Sequence, residues 1–149
     1  MKRRLARELA LQSLYQMQMN EVSPQEAIQM VIDEAQHENE GKLDVKNEVI
    51  HPGYVEELVA GTIQHRAEID RLLEQYIKGY TMERLSRVDR EVLRLATYEM
   101  IYRDDVPPKV VVNEAIELAK HFGTEESGKF VNGVLGKMIL ELAKLKSQV

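Results

Sequence analysis

Val106-Pro107-Pro108-Lys109-Val110-Val111-Val112-Asn113-Glu114-Ala115-Ile116-Glu117-Leu118-Ala119-Lys120-His121-Phe122-Gly123 is where an all-helical reading and a mixed one part company. Each proline pushes the residue before it out of the α region, so the pair ends whatever element precedes it. The β-branched run Val110 to Val112 reads as a strand in isolation. Asn113 to Lys120, however, are mostly strong helix formers, and Gly123 sits where a C′ glycine belongs. The stretch therefore predicts a helix over 109–122 and no strand.

The same 3.6-residue period recurs on both sides of this stretch. Downstream, a helix from about Glu126 to Lys146 carries Phe130, Val131, Val134, Leu135, Met138, Ile139 and Leu142 on one stripe. Upstream, Ser86-Arg87-Val88-Asp89 resembles a capping box with Asp in place of Glu. It opens a helix through about Arg103, with Val88, Val92, Leu95, Ala96 and Glu99 near one face. A carboxylate there needs a partner, because an unpaired buried one costs several kcal/mol (order of magnitude). An internal arginine or a helix N-terminus is the expected answer.

Earlier still, Val55, Leu58, Val59, Thr62 and Ile63 form a stripe, followed by Ile69, Leu72, Leu73 and Tyr76, up to Lys78-Gly79. Residues 37–51 have no period and many charges, which predicts the longest surface loop. Ser23-Pro24-Gln25-Glu26 is a full capping box with Pro at N1, opening a helix with Ala27, Ile28, Val31, Ile32 and Ala35 inward. Residues 3–19 place Ala6, Leu9, Ala10, Leu14 and Met17 at helical spacing. The sum is an all-α fold, a single compact bundle of about seven helices.

The chain has 149 residues, enough for one domain with a real core and too few for two ordinary ones. It lacks cysteine, which excludes disulfides, thiolate zinc sites, iron–sulfur clusters and cysteine nucleophiles. No apolar run approaches the roughly 18 residues of a membrane span. Met1-Lys2-Arg3-Arg4 could open a signal peptide, but Arg7 and Glu8 interrupt the apolar core it would need.

Catalytic and metal constellations are equally absent from the sequence. His37, His51, His65 and His121 include no i, i+4 pair and read as solvated or capping residues. The neighbours Asp104-Asp105, Glu56-Glu57 and Glu125-Glu126 point about 100° apart on a helix. No Gly-x-Ser-x-Gly elbow surrounds a serine. Neither an enzyme nor a cofactor or metal site is expected.

The net charge of −5 is unevenly spread. Residues 1–20 carry +3, residues 21–60 carry −8, and the remainder balances. Such a field argues against indiscriminate coating of nucleic acid and still allows a local basic surface. Arg3, Arg4 and Arg7 supply one, with Arg3 and Arg7 on one face and Tyr15 two turns further along. The residues themselves leave two readings. One is an RNA surface of phosphate contacts plus a stacking ring. The other is a solvated helix end with Tyr15 in the core.

Several strings are more specific. Arg4-Leu5-Ala6-Arg7-Glu8 and Leu11-Gln12-Ser13-Leu14-Tyr15-Gln16 resemble the opening of the NusB family of bacterial transcription antitermination factors. The resemblance continues in Leu85-Ser86-Arg87-Val88-Asp89-Arg90, Leu93-Arg94-Leu95-Ala96-Thr97-Tyr98-Glu99 and Val106-Pro107-Pro108-Lys109-Val110. It extends to Asn113-Glu114-Ala115-Ile116-Glu117-Leu118-Ala119-Lys120, to Gly123 through Ser127, and to Lys129-Phe130-Val131-Asn132-Gly133-Val134-Leu135. It is weakest over 37–51. Gly136 departs from the family, which more often carries Asp there. A related domain precedes the catalytic part of some rRNA cytosine methyltransferases; with no such part in this sequence, the free-standing factor is the expected form.

The resemblance implies a single RNA-binding helical domain over 1–149, in an N-terminal half of about 1–80 and a C-terminal half of about 81–149. It implies pairing with NusE, also a small-subunit ribosomal protein, on the single-stranded, uracil-rich boxA element of nascent RNA. That complex would help RNA polymerase pass terminators, notably in rRNA operons, in the cytoplasm. By motif, the RNA surface would include Arg3, Arg4, Arg7, Tyr15, Glu126, Lys129 and Phe130. The NusE-facing surface would include Glu83, Asp89 and Arg94. The alternative is a helical scaffold that binds only protein.

Overall fold

The computed structural model describes residues 3–37 and 50–149, and most of the expected 37–51 loop lies outside them. Among the described residues there are eight α-helices, one 3-10 turn and no strand. The chain divides into two compact units, Met1–Gly61 and Thr62–Val149.

In the first unit α1 (Arg3–Asn20) packs against α2 (Pro24–His37). Ser23 caps α2 as predicted: its hydroxyl accepts from the Glu26 amide at 3.2 Å and donates to the Glu26 carboxylate at 3.3 Å. Ala27, Ile28, Val31, Ile32 and Ala35 are buried, the stripe expected from the period. α3 (Pro52–Gln64) begins in this unit and carries the division near its C-terminus.

The second unit is built on α5 (Arg87–Tyr102), which packs against α4 (Arg66–Leu73), α6 (Pro108–Phe122), α7 (Glu125–Leu140) and α8 (Leu142–Lys146). Glu91 through Thr97 form an unbroken buried run. A helix enclosed on most sides must bury polar groups too, which is why Glu91, Arg94 and Glu99 lie inside. Ser86 caps α5, its hydroxyl accepting from the Asp89 amide at 3.1 Å.

Three expectations need adjustment. Val110 to Val112 are helical as predicted, but Gly123 has φ −118°, not the left-handed conformation of a C′ glycine. A Cβ at Gly123 would lie 2.6 Å from Ser127 Oγ and 2.8 Å from the Ala119 carbonyl. Close approach of α7 to the end of α6 is therefore what requires glycine there. The last predicted helix is two, broken at Glu141 (φ −113°, ψ 22°). Its carboxylate accepts from the Tyr76 hydroxyl at 2.7 Å, and Leu145 beyond the break is fully buried. Finally, His65, at the junction of α3 and α4, stacks on Tyr102 with ring centroids 3.8 Å apart and makes no capping bond.

Candidate nucleic-acid and partner interface

Each candidate residue is placed by the helix that carries it. In the first unit, Arg3 and Arg4 are exposed on the opening turn of α1, which holds no acidic side chain. Arg7, one turn on, is only 3% exposed. The i, i+4 spacing puts Arg3 and Arg7 on one face, but the first turn is at the surface and the second lies inside. Tyr15 is half-buried, which fits neither extreme of the two readings.

Arg3 has a neighbour that sequence spacing could not supply. Its Nη1 donates to the Tyr54 hydroxyl at 3.0 Å, and its guanidinium carbon lies 5.6 Å from the Tyr54 ring centroid. Tyr54 sits on the first turn of α3, 51 positions away in sequence.

In the second unit, Thr124 caps α7, its hydroxyl accepting from the Ser127 amide at 3.2 Å. Glu126 and Lys129 are exposed one turn apart, with Nζ to Oε1 at 3.4 Å. Phe130 is half-buried at the start of the stripe, ahead of buried Val134, Leu135 and Met138. It meets the edge of Tyr80, centroids 6.2 Å apart. Tyr80 follows Gly79 (φ 78°) and is 56% exposed. The left-handed backbone favours glycine at 79 and helps set where the ring emerges.

The three partner candidates separate by depth. Glu83 is exposed on the 3-10 turn Met82–Arg84, and Asp89 is half-buried on the first turn of α5. Arg94 is 5% exposed. Its Nε and Nη2 donate to the two Asp70 oxygens at 2.8 Å each, and its Nη1 donates to Glu91 at 2.9 Å. Burial works against the Arg94 charge, but Asp70 and Glu91 outweigh it and hold the guanidinium charged. Burial pushes the Glu91 carboxyl above the usual range, against the pull of Arg94, Arg90 and Arg66. Arg94 thus ties α4 to α5 from within.

Among the described residues, no three His, Asp or Glu side chains stand together as metal ligands. Nor is any described helix long and apolar enough to cross a membrane. What the surface offers is charge at two helix starts and a few half-exposed rings.

An all-helical protein with these features has clear relatives. The NusB family profile matches residues 4–140. The transcription antitermination protein NusB of Halalkalibacterium halodurans is 44% identical over 137 residues, 92% of each chain. NusB of T. maritima superposes with a TM-score of 0.78 at 34% identity, over 100% of this chain and 99% of that one. A chain in a complex of antitermination factors NusB and NusE with dsRNA superposes with a TM-score of 0.73 at 28% identity, over 99% and 97%. The chain belongs to the NusB family, a family of transcription factors.

Proposed function

We propose that this chain is a non-catalytic transcription antitermination factor of the bacterial cytoplasm. With NusE it binds the boxA element of nascent RNA, notably in rRNA operons, and enters the RNA polymerase antitermination complex. The observation that carries the reading is the near full-length match to antitermination proteins named NusB, one of them solved with NusE and RNA. Charge supports it: a protein of net −5 with a small basic helix start binds RNA weakly alone. A basic ribosomal protein would complete the surface.

In this reading Arg3, Arg4 and Lys129 contact phosphate, Tyr15 and Phe130 border bases, and Glu126 orients Lys129. Arg7 serves from inside, holding the second turn of α1. Glu83 and Asp89 face NusE, and Arg94 supports that helix through its ion pairs.

Titration of labelled boxA RNA against a scrambled strand of equal length, with and without NusE, tests the function. Preference for boxA, strengthened by NusE, is expected. Arg3→Ala with Arg4→Ala should weaken binding to all RNAs and lower the salt slope by about 0.7 per lost contact. NusE binding without any preference for boxA would identify a protein-only scaffold instead.

A further inference from the structure

We propose that Arg3 and Tyr54 form one composite platform for an unpaired RNA base, the phenol hydroxyl anchoring the guanidinium and the guanidinium plane receiving the base. The inference rests on the RNA-binding reading above and changes the role of Arg3 within it, from point charge to stacking surface. Tyr54 becomes a positioning residue with a ring of its own to offer.

Three observations lead there. The Tyr54 hydroxyl accepts from Arg3 Nη1 at 3.0 Å, and the guanidinium carbon is 5.6 Å from the ring centroid, which seats the guanidinium at the hydroxyl edge of the ring. Two contacts of different kind to one side chain restrict both the position and the tilt of the guanidinium. Tyr54 is half-buried and Arg3 exposed, so the anchored partner lies inward and the planar cation outward. The turn that carries Arg3 also carries Arg4 and no acid, which suits an approaching phosphodiester chain.

A guanidinium is planar and weakly hydrated, and it stacks on π faces, as an ammonium does not. Arginine planes stack unpaired bases in RNA complexes. A free arginine loses rotamer freedom when it does so, and one already bonded to a phenol loses less. Stacking reads the face of a base rather than its edge, so the platform should accept any base.

The test is titration of boxA RNA with the complete protein and NusE across a range of salt. Arg3→Lys keeps the charge and loses the plane. It should bind about 5–20-fold more weakly at every salt, with the salt slope unchanged. Tyr54→Leu should do the same, and Tyr54→Phe, which loses only the hydroxyl, should cost about 2–5-fold. The double variant Arg3→Lys with Tyr54→Leu should be little weaker than either single one, because both remove the same platform. An abasic nucleotide walked along the RNA should weaken wild type at one position where Arg3→Lys is indifferent.

Full affinity of Arg3→Lys, or losses that add in the double variant, would overturn the platform while leaving the RNA-binding reading intact. Should Tyr54→Leu fail to fold by circular dichroism, Arg3→Lys and the abasic scan decide alone. Wild type that ignores boxA in the presence of NusE overturns both readings at once.

Discussion

Arg94 donates to two carboxylates inside the protein, where an unpaired charge is costly. Arg94→Ala would take the guanidinium from part-buried Asp70 and leave buried Glu91 with the longer Arg90 pair at 3.6 Å. It should lower stability by about 3–5 kcal/mol, read from the urea midpoint. A second pair acts nearer the surface. Burial first, and then the bond to Glu141 and its charge, push the Tyr76 hydroxyl up to about 12 from its ordinary 10.0. The same bond, helped by Lys144, holds the Glu141 carboxyl below its ordinary 4.5. The raised tyrosine holds its proton more tightly folded than unfolded, so its contribution is whole below pH 10 and lost as pH rises to about 12. The depressed carboxyl contributes above the ordinary carboxylate value and loses that contribution as pH falls through its lower folded value. Tyr76→Phe should therefore flatten the stability profile at both ends, as urea unfolding across pH would show.

α2, α5 and α7 start on capping hydroxyls, and α6 and α7 come close at Gly123 and Gly128. Ser86→Ala removes the acceptor for the Asp89 amide and should cost about 1 kcal/mol. Gly123, at the end of α6, and Gly128, inside α7, should respond in opposite ways. At Gly123 an added methyl meets the Ala119 carbonyl and the Ser127 hydroxyl, so backbone must move. Gly123→Ala should cost about 1–3 kcal/mol. At Gly128 the nearest atoms are Cγ, Cε and Cδ of Lys120, at 2.8, 3.0 and 3.4 Å, and that exposed side chain can swing away by turning about χ1. Gly128→Ala should be neutral or stabilising by up to about 1 kcal/mol, from helix propensity. Thermal unfolding of the two variants side by side checks the pair.

Across the whole molecule, charge decides how partners are met. In the proposed reading, the acidic balance of residues 21–60 would repel RNA and the basic first turn of α1 would attract it locally. A basic partner is drawn by the same acidic field. Glu83 is exposed on the 3-10 turn, so Glu83→Lys should slow association with NusE, more at low salt than at high, in stopped-flow measurements. Unchanged association rates would move the contact surface away from Met82–Arg84.

The helical class, the caps at Ser23 and Ser86, and the inward stripes of α2 and α7 were legible from sequence, whereas the burial of α5 all round over 91–97 was not. They depend on residues three or four positions apart, and such neighbours are fixed by the helix itself. The family resemblance was legible for the same reason, since its motifs are local strings. Depth and long-range pairing were not. Arg3 and Arg7 share a helical face, yet one is exposed and the other buried. Arg94 read as a surface residue and proved to be the centre of an ion triad. Tyr54 had no signal linking it to Arg3, and the break at Glu141 followed no proline or glycine. Each of these is settled by how far a turn reaches into the core and by which distant side chain arrives beside it. Only packing of one helix on another determines those distances, because no periodicity within a single helix encodes them.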